Sequence, residues 1–219
     1  MERKIPIPTI KRYPSYLRRL QSYKAQGMVN ISATFLATDL QLNPIQVRKD
    51  IALTGIEGKP KIGFSVNALI ISLTNALGWN NTSDAILIGA GNLGKALLGY
   101  EGFSSYGLRI VGAFDKDPQK IGTEASGLVI RPLEELEAYV IDNRINIAII
   151  AVPARQAQTV ATLLVKCGVI ALWNFAPVHL QLPDGIVVQR TDLASHFAAL
   201  SEKMRRALDE KEVGVRKRW

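Results

Sequence analysis

The 219-residue chain has one cysteine and two histidines. A single cysteine excludes an internal disulfide, and Cys167 lies in a helix-like apolar segment that suits a small buried hydrophobe better than a redox thiol. The two histidines, His179 and His196, have no spaced carboxylate to orient them, and no metal-ligand cluster accompanies them, so no metal is expected. Long hydrophobic runs are also missing. Stretches such as 145–152 (INIAIIAV) are far too short to span a bilayer, so no membrane partner is expected. The opening MERKIPIPTIKRYP is basic but lacks the apolar core of a secretory signal. Together these absences fit a cytoplasmic protein. What is present is ordinary globular material, 47% hydrophobic and 21% charged, long enough for one large domain or two small ones.

Charge is unevenly placed. Residues 1–80 hold 11 Lys/Arg against 4 Asp/Glu, residues 81–199 hold 9 against 11, and residues 200–219 hold 7 against 4. A basic first third joined to a slightly acidic middle suggests two modules with different partners. The basic one suits a phosphate backbone, although a solvated basic face would serve solubility equally.

Residues 8–26 read as a helix stopped by Gly27, with Tyr13, Tyr16, Leu17 and Leu20 on its apolar stripe and Arg12, Arg18 and Arg19 off it. Ser32 suits the cap of a short helix over 33–39. After a tight Leu40-Gln41-Leu42 connection, Asn43-Pro44 opens a third helix over 44–54. Two short helices joined by a tight turn, the second basic, describe a helix-turn-helix. Val47 and Ile51 face the core. Lys49 lies about 200° round from Val47 with Arg48 beside it, so Gln46, Arg48 and Lys49 point toward a DNA groove. The segment GIEGKPKIGFSV reads as a hairpin wing whose Lys59 and Lys61 reach phosphate, and Arg12 joins this DNA-facing set. An apolar helix over 65–78 packs beneath, and NNTSD (80–84) is a linker. A plain three-helix bundle remains the alternative for this third.

Residues 85–90 (AILIGA) form an all-apolar strand, followed directly by G-A-G-N-L-G and a helix over 92–99. Gly89 permits the tight turn, Gly91 lets a pyrophosphate approach the backbone, and Gly94 lets helix and strand pack closely. A second strand, 108–114, ends at Asp115, where an acid accepts hydrogen bonds from a ribose diol and favours NAD over its 2′-phosphorylated form. Lys116 beside it weakens that preference. Helix 132–143, strand 145–152, helix 154–167 and strands 169–173 and 186–189 continue a doubly wound α/β pattern. A domain for another nucleotide, such as coenzyme A, stays open. So does a small NAD-dependent oxidoreductase, but the chain offers no proton donor set and no second domain for a substrate. From Leu193, Phe197, Leu200, Met204 and Leu208 trace one apolar stripe on a helix of about 18 residues, fit for a second subunit. The basic end VGVRKRW adds nonspecific charge.

This order of modules, with KRYPSYLRRL, QVRKD, GAGNLGKAL, YEGF, GAFDKDPQKIG, AVP and NFAP, resembles the family of bacterial redox-sensing transcriptional repressors called Rex over nearly the whole chain. The resemblance implies a winged-helix DNA-binding domain over 1–80, a Rossmann NAD(H) domain over 81–192, and a dimerisation helix with a basic tail over 193–219. It implies a homodimer, its C-terminal helix reaching into the partner, that holds pseudo-palindromic operator DNA and releases it when NADH rises relative to NAD+. By position, Gly89, Ala90, Gly91, Asn92, Leu93, Gly94, Asp115 and Lys116 would hold the adenosine and pyrophosphate. Val152, Pro153, Asn174, Phe175, Ala176 and Pro177 would border the nicotinamide. Tyr100 would change environment between ligand states, and Arg18 and Asp192 would couple the two domains across the dimer. The chain departs from the pattern at Leu193, at Phe64 in the wing, and in the highly charged SEKMRRALDEKE.

Overall fold

The single N-terminal helix expected over 8–26 is two helices in the computed structural model, α1 (Ile7–Ile10) and α2 (Tyr13–Ala25). Pro14 explains the break. It lacks an N–H and its ring would collide with a carbonyl four residues back, so the helix has to restart with proline in its first turn. Residues 5–80 and 82–216 are described. The chain forms two units, Met1–Thr82 and Ser83–Trp219.

In the first unit α2 ends at Gly27 (φ +82°), where the Met28 N–H donates to Tyr23 O at 3.0 Å, a left-handed cap. Strand β1 (Asn30–Ile31) leads to α3 (Ala33–Asp39), capped by Ser32, whose Oγ accepts from Phe35 N at 3.0 Å. The turn that follows is made by Gln41 at φ +54°, with the Leu42 N–H donating to Ala37 O at 2.8 Å. Asn43 then caps α4 (Pro44–Ala52), its Oδ1 accepting from Ile45 N at 2.8 Å. The wing is less regular than the expected hairpin. It closes on one Lys59–Gly63 bridge, and its strand β2 (Phe64–Ser65) pairs antiparallel with β1. Gly63 is required there, because a Cβ would sit 2.4 Å from Ile31 O. Helix α5 (Val66–Leu77) ends at the left-handed Gly78. Tyr13, Tyr16, Leu20, Leu36, Val47, Ile51, Leu69 and Leu73 fill the core of this unit, each worth about 1.5–3 kcal/mol of burial for the aliphatic members.

The second unit runs β3 (Ser83–Ile88), α6 (Asn92–Leu98), a 3₁₀ turn (Glu101–Tyr106), β4 (Leu108–Asp115), β5 (Glu124–Ala125) and β6 (Leu128–Pro132). It continues with α7 (Leu136–Asp142), β7 (Ile147–Ile150), α8 (Ala154–Lys166), β8 (Ala171–Asn174), β9 (Val187–Arg190) and α9 (Leu193–Arg216). The sheet order is β5-β6-β4-β3-β7-β8-β9, parallel throughout except for β5–β6. Without the edge strand β5 this is the doubly wound 3-2-1-4-5-6 order, whose ligand crevice opens where the winding reverses, between β3 and β7. Strands β3 and β7 are apolar on both faces because helices cover both; Ile86, Ile88, Ala148 and Ile150 are buried among α7 and α8.

Three expectations shift. The helix placed over 132–143 begins as the end of β6 and a 3₁₀ turn. The β5–β6 hairpin was not anticipated, although Ser126 (φ +50°) and Gly127 (φ +79°) supply the two left-handed residues such a turn needs. Helix α9 has 24 residues rather than about 18, and the last part of the basic tail, 217–219, lies outside the described residues. No helix among the described residues is long and apolar enough to cross a membrane.

Candidate nucleotide cleft and nucleic-acid interface

At the winding reversal a cleft of about 700 Å³ opens over the C-terminal ends of β3, β4 and β7. Gly89, Gly91, Asp115, Lys116, Val152 and Pro153 line it together. The glycine turn has three distinct geometries. Gly89 holds φ +101° with space for a Cβ only 2.7 Å from Ala151 O, and Gly94 is pressed on Gly89 O, where a Cβ would lie at 1.9 Å. A Cβ on Gly91 would meet nothing within 4 Å. Gly91 therefore fronts open space at the start of α6, a helix that begins without a side-chain cap. Its first N–H groups are a natural seat for an anion.

Asp115 is buried and already engaged. Its Oδ2 accepts from Ala90 N at 2.8 Å and from Lys120 Nζ at 3.0 Å, and its Oδ1 accepts from Asp117 N at 2.9 Å. Burial opposes its ionisation, but the Asp117 amide, the Lys120 ammonium and the Ala90 amide outweigh that and hold the carboxyl below the usual range. The acid thus ties the glycine loop to the end of β4. A carboxylate oxygen has two lone pairs, so Oδ1 retains room for a further donor.

The other residues assigned to the nucleotide do not line this cleft. Ala90 is buried behind it, while Asn92, Leu93 and Gly94 lie on α6. Asn174 is buried, its Oδ1 accepting from Ala176 N at 2.9 Å and its Nδ2 donating to Val178 O at 3.0 Å. These bonds staple the Asn174–Pro177 loop, and Phe175 N–H anchors it to Ile150 O at 3.0 Å. Tyr100 stands half-exposed over Gly102 and begins an aromatic run. Tyr100–Phe103, Phe103–Trp173 and Trp173–Phe175 ring centroids lie 4.8, 5.7 and 5.1 Å apart. The run connects Tyr100 to the Asn174–Pro177 loop, and Phe103 and Trp173 were not anticipated. Nor were Lys120 and Arg155, which also line the cleft.

In the first unit Arg48 and Lys49 are exposed on α4, without an ion-pair partner among the described residues. Ile45, exposed on the same face, was overlooked. Lys59 and Lys61 are exposed in the wing. Arg12, assigned to the DNA-facing set, is held by an ion pair within this unit. Its Nε and Nη2 each lie 2.7 Å from a carboxylate oxygen of the fully buried Asp50, because α1–α2 brings it onto α4. The side-chain Nε2 of Gln46, an exposed residue, also donates to Asp50 Oδ1, at 2.9 Å. Asp192 caps α9, accepting from Ala194 N and Ser195 N at 3.1 and 3.4 Å, and pairs with Arg190 at 3.3 Å. Arg18 is exposed on α2. No cluster of His, Cys, Asp and Glu fit for a metal occurs among the described residues.

The family model described as "CoA binding domain" matches residues 80–178, and that described as "Putative DNA-binding protein N-terminus" matches residues 4–52. Among curated relatives, the redox-sensing transcriptional repressor Rex of Treponema denticola is 45% identical over 204 residues, 93% of this chain and 97% of its own. That of Carboxydothermus hydrogenoformans is 41% identical over 203 residues, 93% of this chain and 98% of its own. Among solved structures, RSP in complex with β-NAD+ and operator DNA superposes with a TM-score of 0.87 at 30% identity, covering 96% of this chain and 97% of that one. RSP in complex with β-NADH gives 0.84 at 30% identity, covering 95% and 98%.

Proposed function

The chain belongs to the Rex family of redox-sensing transcriptional repressors, and from that premise we propose the following division of labour for its two units. The protein is an NADH-responsive repressor that binds operator DNA through α3, α4 and the wing and lets go when NADH rises relative to NAD+. The observation that carries the reading is the pairing, in one chain, of a basic recognition helix, whose Arg48 and Lys49 have no ion-pair partner among the described residues, with an open glycine-turn cleft bordered by Asp115.

The cleft's residues fit a dinucleotide. The open front of Gly91 and the uncapped start of α6 receive the pyrophosphate, and Asp115 Oδ1 accepts from a ribose hydroxyl. Val152 and Pro153 offer an apolar border to the nicotinamide. Bound NAD+ or NADH supplies the redox signal as ring charge, positive or neutral. An apolar border favours the neutral ring, because burying an uncompensated charge is costly. Coenzyme A, the ligand class in the description of one matched family model, shares the pyrophosphate but carries a 3′-phosphate on its ribose, which suits a carboxylate poorly.

Helix α9 leaves Leu193, Phe197, Leu200, Met204 and Leu208 between 54% and 69% exposed. Five large apolar side chains on one stripe call for a cover, and a second copy of the chain supplies it. A homodimer also presents two copies of α4, which must sit about 34 Å apart to read a pseudo-palindromic operator. Two identical sites sharpen the switch. Reversing a 1:99 equilibrium needs about 10⁴-fold state preference, so about a hundredfold per site suffices. Tyr100, at the head of the aromatic run, reports the state of the Asn174–Pro177 loop, and Arg18 and Asp192 belong to the coupling between units. No turnover is assigned, and the cytoplasm is the compartment where such a repressor meets DNA. Gly91→Val tests the assignment: its side chain fills the pyrophosphate front. The variant should hold operator DNA as the wild type does yet fail to release it with NADH, whereas normal release would overturn the site.

A further inference from the structure

The acid end of the cleft is also its most cationic part. Lys116, Asp117 and Lys120 line the cleft beside Asp115. Lys120 Nζ lies 3.0 Å from Asp115 Oδ2 and 3.5 Å from Asp117 Oδ2. Two carboxylates and two ammonium groups balance, so the rejection of a 2′-phosphorylated ribose cannot come from net charge. It depends on where the cations are held. Lys120 is drawn onto the inner oxygen of Asp115, the oxygen that also accepts from Ala90 N at 2.8 Å. This leaves Oδ1, fixed by Asp117 N at 2.9 Å, as the oxygen available to a ribose hydroxyl.

We propose that Lys120 is a specificity-determining residue: clamped by Asp115 and Asp117 it is withheld from a 2′-phosphate, and unclamped it becomes a ligand for one. The inference rests on the dinucleotide reading of the cleft. An ammonium makes its strongest bonds to an ionised acceptor. While Asp115 is charged, Lys120 is satisfied within the protein and a phosphate entering beside it meets a carboxylate. Once that charge is gone, the phosphate is the better acceptor, and Lys116, exposed next to the acid, adds a second cation. Asp115→Asn removes the charge but keeps an oxygen for the Ala90 N–H, so the glycine loop retains its tether.

Titration calorimetry on the full chain, with NADH and NADPH in turn, tests this on the wild type, Asp115→Asn, Lys120→Met and the double variant. Thermal unfolding reports that each is folded. The wild type should prefer NADH. Asp115→Asn should move the ratio of the two dissociation constants toward NADPH by at least about tenfold, and the double variant should lose most of that gain. Lys120→Met alone should move the ratio the other way, since two carboxylates then face the phosphate with one cation fewer. Full gain in the double variant, or no gain in a folded Asp115→Asn, overturns the role of Lys120. Should Asp115→Asn not fold, an unmoved ratio in Lys120→Met overturns it alone. A wild type that binds neither dinucleotide overturns the reading of the cleft itself, an outcome distinct from NADH binding with an unmoved ratio.

Discussion

Asp50 is the most consequential charged residue of the DNA-binding unit, and its replacement by alanine should cripple that unit while sparing the other. The carboxylate is fully buried. It accepts two bonds from Arg12 at 2.7 Å, one from the Tyr16 hydroxyl at 2.7 Å, one from Gln46 at 2.9 Å and one from Thr9 at 3.1 Å. Breaking a buried ion pair from one side costs about 3–5 kcal/mol. The Arg12 side chain is 27% exposed, so water recovers part of its charge and the low end applies. The fully buried Tyr16 hydroxyl is left without its acceptor, at about 1–3 kcal/mol. Neighbouring losses overlap rather than add, which puts the total at about 4 kcal/mol. Urea unfolding followed by far-ultraviolet circular dichroism should show an early transition for this unit in Asp50→Ala. Operator affinity should fall with it, while NADH affinity stays within about twofold, as expected for sites without shared partners. A cost below about 1 kcal/mol, or a comparable loss of NADH affinity, refutes the reasoning.

Three further outcomes follow from the same structure. Burial opposes ionisation of Asp50, yet bonds from Arg12, Tyr16, Gln46 and Thr9 depress its pKa; the stability it gives is therefore present above the unfolded value of about 3.9 and lost as pH falls through the lower folded value, so acid unfolding of the first unit below about pH 4 should flatten in Asp50→Ala. Lys49→Ala removes an exposed cation from α4 and should weaken operator binding and its salt dependence by about one counterion, with NADH affinity unchanged by calorimetry. Phe197→Glu places a charge in the exposed stripe of α9 and should shift the chain from dimer to monomer in sedimentation; an unchanged dimer would remove α9 from the interface.

Local chemistry made much of this fold legible. Ser32 and Asn43-Pro44 mark helix starts by what their side chains and backbone can do, and each occupies the cap expected of it. The glycine turn is legible because three closely spaced constraints coincide at Gly89, Gly91 and Gly94. Contacts between distant segments were not. Asp50 reads as one more charge on a basic helix until α1 and α2 arrive from almost forty residues away, although its spacing with Val47 and Ile51 follows the buried face. The tight Leu40-Gln41-Leu42 connection was legible, but not that Gln41 would make it in a conformation normally left to glycine. Lys120 escaped notice because the spacing rule stops at the acid, and only the turn through Pro118 folds it back onto Asp115. The aromatic run joins Tyr100 and Phe103 to Trp173 and Phe175 across the sheet, a meeting that no local pattern announces.

The central claim is that ring charge in the cleft decides whether α4 holds DNA. Fluorescence anisotropy of a labelled operator duplex, selected by the protein from random DNA, measures this directly when the NADH to NAD+ ratio is varied at constant total dinucleotide. The account predicts that binding falls as the ratio rises and that NAD+ alone does not release the duplex. Equal release by NADH and NAD+ at matched occupancy, or binding indifferent to the ratio, would contradict it.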